Sequence, residues 1–588
     1  MKSFFKYLLA TVLGIILTSI LMFFIFLGSI GAIISSQDQP VKIDEHTVLH
    51  MELSSPIADR SNKNPMENFD FESFQPVNQL GLNNILNNIK KAKEDENIDG
   101  IYLDFTIIPA GMATIEEIRS ALIDFKASGK FILSYADTYT QSTYYLASIA
   151  DKVYLNPEGL ISWTGMRSEI MFFKEALVKL GIEAQIIRHG KFKSAVEPFM
   201  YNQMSPENRE QIMTYMGSIW NHMLTRISES RNISVEQLNE LADNLTLNNA
   251  DAALEYGFVD GLKYKDEILD ELKEVTGKNE NEEIKSIALA KFTKVPKKKR
   301  KSLEKDKIAV VYANGSVIMG EGAEGTIGSD RISRAIRKAR KDSTIKAIVF
   351  RVNSGGGSAL ASEVIWREVK LAQQVKPVIA SLGDVAASGG YYIVAPAEKI
   401  VANPNTITGS IGVFGMIPNG KKLLNDKLGI YVDVAKTNQH ADIYSFSRPL
   451  SAKEKETIQL NIEGVYETFI THVAEGRGMT KEEIDEIGQG RVWSGANAIE
   501  IGLIDEFGGL ERAIEIAAQT ANLEKYRVVD YPKLKDPFQK LLEDLQGNVK
   551  VSILKKELGN EYKYYQRLQD IKNMQGIQAR IPYDIELY

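Results

Sequence analysis

Two groups far apart in the chain are of the types that break an amide. Ser388 stands in GDVAASGGYY (Gly383–Tyr392), just after the apolar run KPVIASLGD, where a buried strand is expected to run out into a loop. A serine hydroxyl attacks an acyl carbon only when a base takes its proton. The six histidines (His46, His50, His189, His222, His440 and His472) are scattered and form no recognisable ligand or base spacing. Lys193, in RHGKFKSAVEPF, is the other candidate, with Lys191 two residues earlier as its rival. Taken singly, Ser388 reads as a small turn residue, because Ala386 breaks the GxSxG elbow, and Lys193 reads as a surface lysine.

A duplication links them. SYADTYTQSTYYLASIADKVYLNPEG (Ser134–Gly159) aligns without a gap to SLGDVAASGGYYIVAPAEKIVANPNT (Ser381–Thr406). Asp137 meets Asp384, Tyr144 and Tyr145 meet Tyr391 and Tyr392, and Asn156-Pro157 meets Asn403-Pro404. Further on, KLGIEAQIIRHGKFKSA matches KLGIYVDVAKTNQHADI, and AALEYGFVDGL matches NAIEIGLIDEF, so the chain is two copies of one domain. The copies differ where chemistry would sit. Opposite Ser388 the first copy has Gln141, and opposite Gly355, Gly356 and Gly357 it has Ile108, Pro109 and Ala110; proline offers no N–H. Opposite Lys193 the second copy has Ala441. One copy supplies a hydroxyl and the other an amine, and the chemistry requires that the two meet. A general base needs a free lone pair, and burial lowers an amine's pKa by up to about 3–5 units. Phe192, Val196 and Phe199 suit a dry pocket, while Glu197 must point elsewhere to leave the amine uncharged. Gly389 and Gly356 are the expected N–H donors to an oxyanion, and Ser410 in TITGSIGVFG is the candidate to orient the base.

The elements that must position these groups alternate short apolar strands with amphipathic helices. In the second copy, strands are expected at KIAVVYANGSV, IKAIVFRVNS, PVIASLG, KIVANP and GIYVDVAK, with a helix at SEVIWREVKLAQQV. Such alternation predicts a mainly parallel sheet covered by helices, with active groups beyond the carboxyl ends of strands. Ahead of both copies, Tyr7 to Gln37 carries no charge and is long enough for a retained transmembrane helix, so residues 7–36 are expected in a lipid bilayer. Lys2 and Lys6 precede it, and the positive-inside rule keeps them cytoplasmic, which places the rest of a single-pass protein on the extracytoplasmic side of the membrane. KVPKKKRKSLEKDK reads as a solvated basic linker between the copies. The expected divisions are an anchor (1–40), a first repeat (41–292), the linker (293–307), a second repeat (308–532) and a tail (533–588), the tail helical with an extended end at ARIPYDIELY.

Composition removes several classes. The formal net charge of −7 argues against a general nucleic-acid binder. With no cysteine there is no disulfide, thiolate nucleophile or cysteine-ligated zinc. His46 and His50 stand four apart on an expected strand, about 13 Å from each other, so no metal is expected either.

KFKSAVEPF in the first copy and GDVAASGGYYI in the second resemble the long, duplicated form of signal peptide peptidase A (protease IV), peptidase family S49, over nearly all of residues 40 to 530. The resemblance implies tandem α/β domains of the Clp protease/crotonase-like fold, an endopeptidase with a Ser/Lys dyad shared between the repeats, no cofactor, and a homotetrameric bowl. It assigns Ser388 as nucleophile, Lys193 as base, and Gly356 and Gly389 as oxyanion donors. It further implies peptide substrates, namely remnant signal peptides cleaved at a bacterial cytoplasmic membrane. Gly355 replaces the proline usual before the glycines. Two other readings keep parts of this picture: a crotonase-type enzyme holding an acyl-thioester enolate on the same glycines, and a catalytically inactive membrane scaffold.

Overall fold

Thirty-six residues without a proline form α1 (Lys2–Gln37). The span Ser3–Met22 has a mean hydropathy of 2.0 and none of it is buried against the rest of the chain. By length and composition it can cross a bilayer. The computed structural model describes residues 2–37, 40–61, 69–70, 75–76, 80–279, 282–296, 304–534 and 576–581.

Beyond α1, two sheets repeat one design. Apart from a two-residue hairpin pair (Phe69–Asp70 with Gln75–Pro76), the described strands of the first copy are β1 (Thr47–Met51), β2 (Ile98–Asp104), β3 (Phe131–Tyr139), β4 (Lys152–Ile161), β5 (Glu183–Arg188), β6 (Gly261–Leu262) and β7 (Ser286–Ala288). All but β5 form one parallel sheet in the order β7-β1-β2-β3-β4-β6. The second copy has β8 (Lys307–Asn314), β9 (Ser316–Ile318), β10 (Thr326–Gly328), β11 (Ile345–Ser354), β12 (Gly356–Ser358), β13 (Val378–Ala387), β14 (Lys399–Ala402), β15 (Ile407–Gly409), β16 (Phe414–Asn419), β17 (Val492–Ser494), β18 (Glu506–Phe507) and β19 (Arg527–Tyr531). Its parallel sheet runs β19-β8-β11-β13-β14-β18, the same order strand for strand, with β15 and β17 added beside the end of β13. Central strands such as VVYA in β8 and AIVF in β11 are apolar on both faces because helices cover both sides. Each sheet has its own large core. The expected duplicated, mainly parallel α/β architecture with an apolar amino-terminal helix is thus present.

A third sheet belongs to neither copy alone. It runs β10-β9-β12-β20-β16-β5, where β20 is Gln578–Arg580. β5 from the first copy pairs antiparallel with β16 from the second across six registered residues, Arg188 opposite Phe414 through Glu183 opposite Asn419.

Charged groups lock the copies together elsewhere. Thr114, near the start of α2 (Met112–Lys126), donates through its N–H and its hydroxyl to the Asp384 carboxylate at 2.8 and 2.7 Å. Arg351 on β11 lies 2.7 Å from both Asp59 and Glu117, all three buried. Burial opposes the Arg351 charge, but the two carboxylates hold its pKa above the ordinary value.

One expectation changes and another lies outside the described residues. GIYVDVAK is not a strand: residues 430–436 have no secondary structure and their side chains are exposed. The matching segment of the first copy is β5, which is a strand because β16 lies beside it; residues 430–436 have no such neighbour among the described residues, and a lone strand leaves its backbone groups unpaired. The helix expected in the tail falls on residues 535–575, outside the described residues, while the expected extended end includes β20.

Candidate active site

Ser388 sits where β13 ends and α3, the short turn Gly389–Tyr392, begins. Its φ of 55° and ψ of −117° are uncommon for a residue with a side chain and cost on the order of 1–3 kcal/mol. The strain is held by Ser388 N–H donating to Gly409 O at 2.7 Å and Tyr392 N–H donating to Ser388 O at 2.8 Å. The flanking glycines are needed for space. A Cβ on Gly390 would lie 2.5 Å from Ser354 O, and one on Gly389 would lie 2.7 Å from Ser362 Oγ.

Lys193 enters from the first copy. Its segment leaves β5, and Phe192 N–H donates to Gln489 O at 3.1 Å, which ties it to a second-copy loop. Gly490 in that loop has φ +84° and its Cβ would lie 2.6 Å from Lys193 Cα, so only glycine lets the two backbones approach this closely. A Cβ on Gly412 would lie 3.3 Å from Lys193 Cδ. Lys193 Nζ ends 2.9 Å from Ser388 Oγ, 3.0 Å from Ser410 Oγ and 3.2 Å from Ser410 O.

The surroundings decide the charge of that amine. Lys193, Ser388 and Ser410 are each 0% exposed. Burial alone drives the Lys193 pKa well below the usual lysine value. Glu197, also buried, is turned the other way: it accepts from Ser205 Oγ at 2.6 Å and from Asn208 Nδ2 at 3.0 Å. Phe192 and Val196 are buried, Phe199 is half-buried against Phe173, and Lys191 is exposed. A neutral amine has two N–H groups and one lone pair. The two oxygens of Ser410 can take the N–H groups, which leaves the lone pair for the Ser388 hydroxyl proton.

The glycine run is arranged differently from expectation. Gly356 has φ +92°, but its N–H donates to Ser354 Oγ at 3.1 Å and is therefore engaged. Gly357 N lies close to Gly389: a Cβ built on Gly389 would lie 3.1 Å from Gly357 N and 2.9 Å from Ala579 O. Gly412 and Gly490 are not singled out by the sequence reading, and Gly357 enters it only as part of the glycine run. Gly490, in GQGRVW, offers little signal beyond being a glycine in a loop, and Gly412, in SIGVFG, has Gly165 opposite it in the first copy. In that copy Gln141 takes the place of Ser388, and its side-chain amide closes a loop by accepting from Thr164 N and Gly165 N and donating to Gly165 O.

The model of peptidase family S49 matches this chain twice, over residues 124–279 and 370–524. The chain belongs to peptidase family S49, in its duplicated form. Protease 4 of Salmonella typhi is 36% identical over 552 residues, covering 90% of this chain and 88% of that protein. Protease 4 of Haemophilus influenzae is 38% identical over 444 residues, with 74% and 72% covered. The chloroplastic serine protease SPPA of Arabidopsis thaliana is 33% identical over 509 residues, with 85% and 74% covered. This S49 peptidase is accordingly a serine protease, and the crotonase and scaffold readings fall away.

Proposed function

We propose that the peptidase cuts peptide bonds with Ser388 as nucleophile and Lys193 as uncharged general base, and that its substrates are remnant signal peptides at the membrane. The observation that carries the dyad is the 2.9 Å approach of Nζ to Oγ in a site with no exposure and no carboxylate beside the amine. Lys193 takes the Ser388 proton as Oγ bonds to the substrate carbonyl carbon. The resulting oxyanion is held by the N–H groups of Gly389 and Gly357, the Gly356 N–H being engaged by Ser354. Lys193 then passes the proton to the leaving amine, and water, deprotonated by the same amine, releases the acyl group. Ser410 orients Nζ throughout.

The substrate class follows from confinement. A peptidase tethered by an apolar helix works at the bilayer surface, where apolar peptides collect, and Lys2 and Lys6 at the amino-terminal end of that helix favour an extracytoplasmic body. A homotetramer fits the same reading. Residues 430–436 expose Ile430, Tyr431 and Val432, and residues 167–172, which match β16 in the first copy, form no strand. A second copy of the chain can bring one to the other as β5 meets β16 here.

The test is hydrolysis of a synthetic signal peptide in liposomes carrying the full chain. Ser388→Ala and Lys193→Ala should each cut the rate by at least about 10²–10⁴-fold. Undiminished cleavage by Ser388→Ala would overturn the reading.

A further inference from the structure

The loop GQGRVW (residues 488–493) touches both Lys193 and its acceptor Ser410 without supplying a reacting group. Gly490 backs onto Lys193 and Gln489 O holds Phe192 N–H, as described above. On its other side, Gly490 N–H donates to Ile411 O at 2.7 Å and Arg491 O accepts Ser410 N–H at 2.6 Å. Ser410 has a φ of 50° and Gln489 a φ of 52°, both uncommon for residues with a side chain, and these bonds hold them there. Val492 N–H donates to Gln211 Oε1 at 3.0 Å, while Gln211 Nε2 donates to Phe192 O at 3.2 Å and to Ser194 Oγ at 2.9 Å. The residues flanking Lys193 are therefore tied to the loop on both sides of Arg491.

The reaction makes no direct use of the Arg491 side chain, yet its placement is specific. The guanidinium carbon lies 4.6 Å from the centre of the Phe192 ring and 4.4 Å from the centre of the Trp493 ring. Phe192 belongs to the first copy and Trp493 to the second, so the cation joins the two. Arg491 Nη2 also reaches Glu210, on the first-copy helix Pro206–Arg231, at 2.8 Å, but that carboxylate is 56% exposed and such a pair contributes little. Nε is buried with no hydrogen-bond partner among the described residues, so the two rings are the main hold on the guanidinium. The first copy supplies a contrast. Asn249 and Ser494 each cap the helix that follows, which puts the copies in register, and three residues before those caps Thr246 stands where Arg491 does. The copy without a nucleophile has no guanidinium at this place.

We propose that Arg491 is a positioning residue for the dyad: by clamping Phe192 to Trp493 it fixes the backbone that carries Lys193, so that Nζ lands on Ser388 and Ser410 and stays shut off from water. The proposal rests on the Ser/Lys reading and adds to it the part that brings the base into register. The partners of Nζ are Ser388 and Ser410, so the guanidinium acts through the place it gives to Phe192. Burial is what depresses the Lys193 pKa, which makes a closed seat the property that Arg491 protects. A lysine at 491 would keep the charge and lose the flat face that stacks on the rings.

The full chain in detergent micelles tests it, with Arg491→Ala and Arg491→Lys beside the parent. Two readouts are taken, the hydrolysis of a fluorogenic peptide across a range of pH and the rate at which a fluorophosphonate labels Ser388. Misplacing a reacting group by about 1 Å costs on the order of 10²-fold, so above the acid limb Arg491→Ala should lose about that factor in kcat with KM within about twofold. With the seat opened, the amine is less well buried and its pKa moves back toward the ordinary lysine value, so the acid limb of kcat/KM should move to higher pH. Arg491→Lys keeps a cation for Glu210, which guards against a variant that merely fails to fold, and should lose nearly as much. Guanidinium chloride, well below denaturing concentration, should restore part of the Arg491→Ala rate by filling the space between the rings, and sodium chloride at the same concentration should not. Parent-like kcat and labelling in Arg491→Ala overturn the inference alone. So does a loss in both variants that leaves the acid limb in place and that guanidinium does not restore. Absence of Ser388 labelling in the parent overturns the Ser388 assignment and this inference with it.

Discussion

At Lys193 the direction of the pH dependence follows from burial. The folded chain keeps this amine uncharged well below 10.5, whereas the unfolded chain protonates it up to about that value. Below its folded pKa the amine carries a proton, its lone pair is gone, and kcat/KM should fall tenfold for each further unit of acidity. Lys193→Met should leave no such acid limb in whatever residual rate it retains. Stability carries the same signature. Between the folded pKa and 10.5 the unfolded state binds the extra proton, so stability rises with pH through that window, and urea midpoints of Lys193→Met should show a flatter rise. Ser410→Ala removes one of two acceptors from Nζ and should lower kcat by about five- to tenfold, the value of one ordinary hydrogen bond. The serine and the lysine were legible because each copy had lost what the other kept. The hydrogen bonding of the glycine run was not: nothing in SGGGS says that Ser354 Oγ engages Gly356 N–H.

Between elements, the decisive contacts are those that join the two repeats. Arg351 compensates two buried carboxylates, Asp59 and Glu117, and sits on the strand that leads into the glycine run. Arg351→Met would leave both carboxylates without a counter-charge, and breaking a buried pair in this way costs about 3–5 kcal/mol. A guanidinium titration of the full chain should show the second-repeat transition moved down by that amount. The strands of the parallel sheets were readable from apolar runs such as AIVF, since burial on both faces leaves a continuous hydrophobic signature. GIYVDVAK carries the same signature and is not a strand in this chain, because pairing needs a neighbour and the neighbour is not encoded in the run itself.

For the molecule as a whole, the duplication and the apolar first helix were plain in the sequence, whereas the third sheet was not. Its strands come from residues 183–188, 316–358, 414–419 and 578–580, and pairing across such distances leaves no local pattern to read. The helix α1 has no buried residue in its Ser3–Met22 span, so deleting residues 2–37 should leave kcat/KM on a water-soluble peptide within about twofold. Flotation with liposomes should be lost in the same variant, and with it the preference for membrane-held substrates. The pairing of β5 with β16 also has a consequence in time. Translation runs from the amino terminus, so the ribosome delivers Lys193 long before Ser388. On the Ser/Lys reading, a half-synthesised chain is harmless to the nascent proteins crowded around it, and cutting can begin only once the second repeat has emerged and docked on the first.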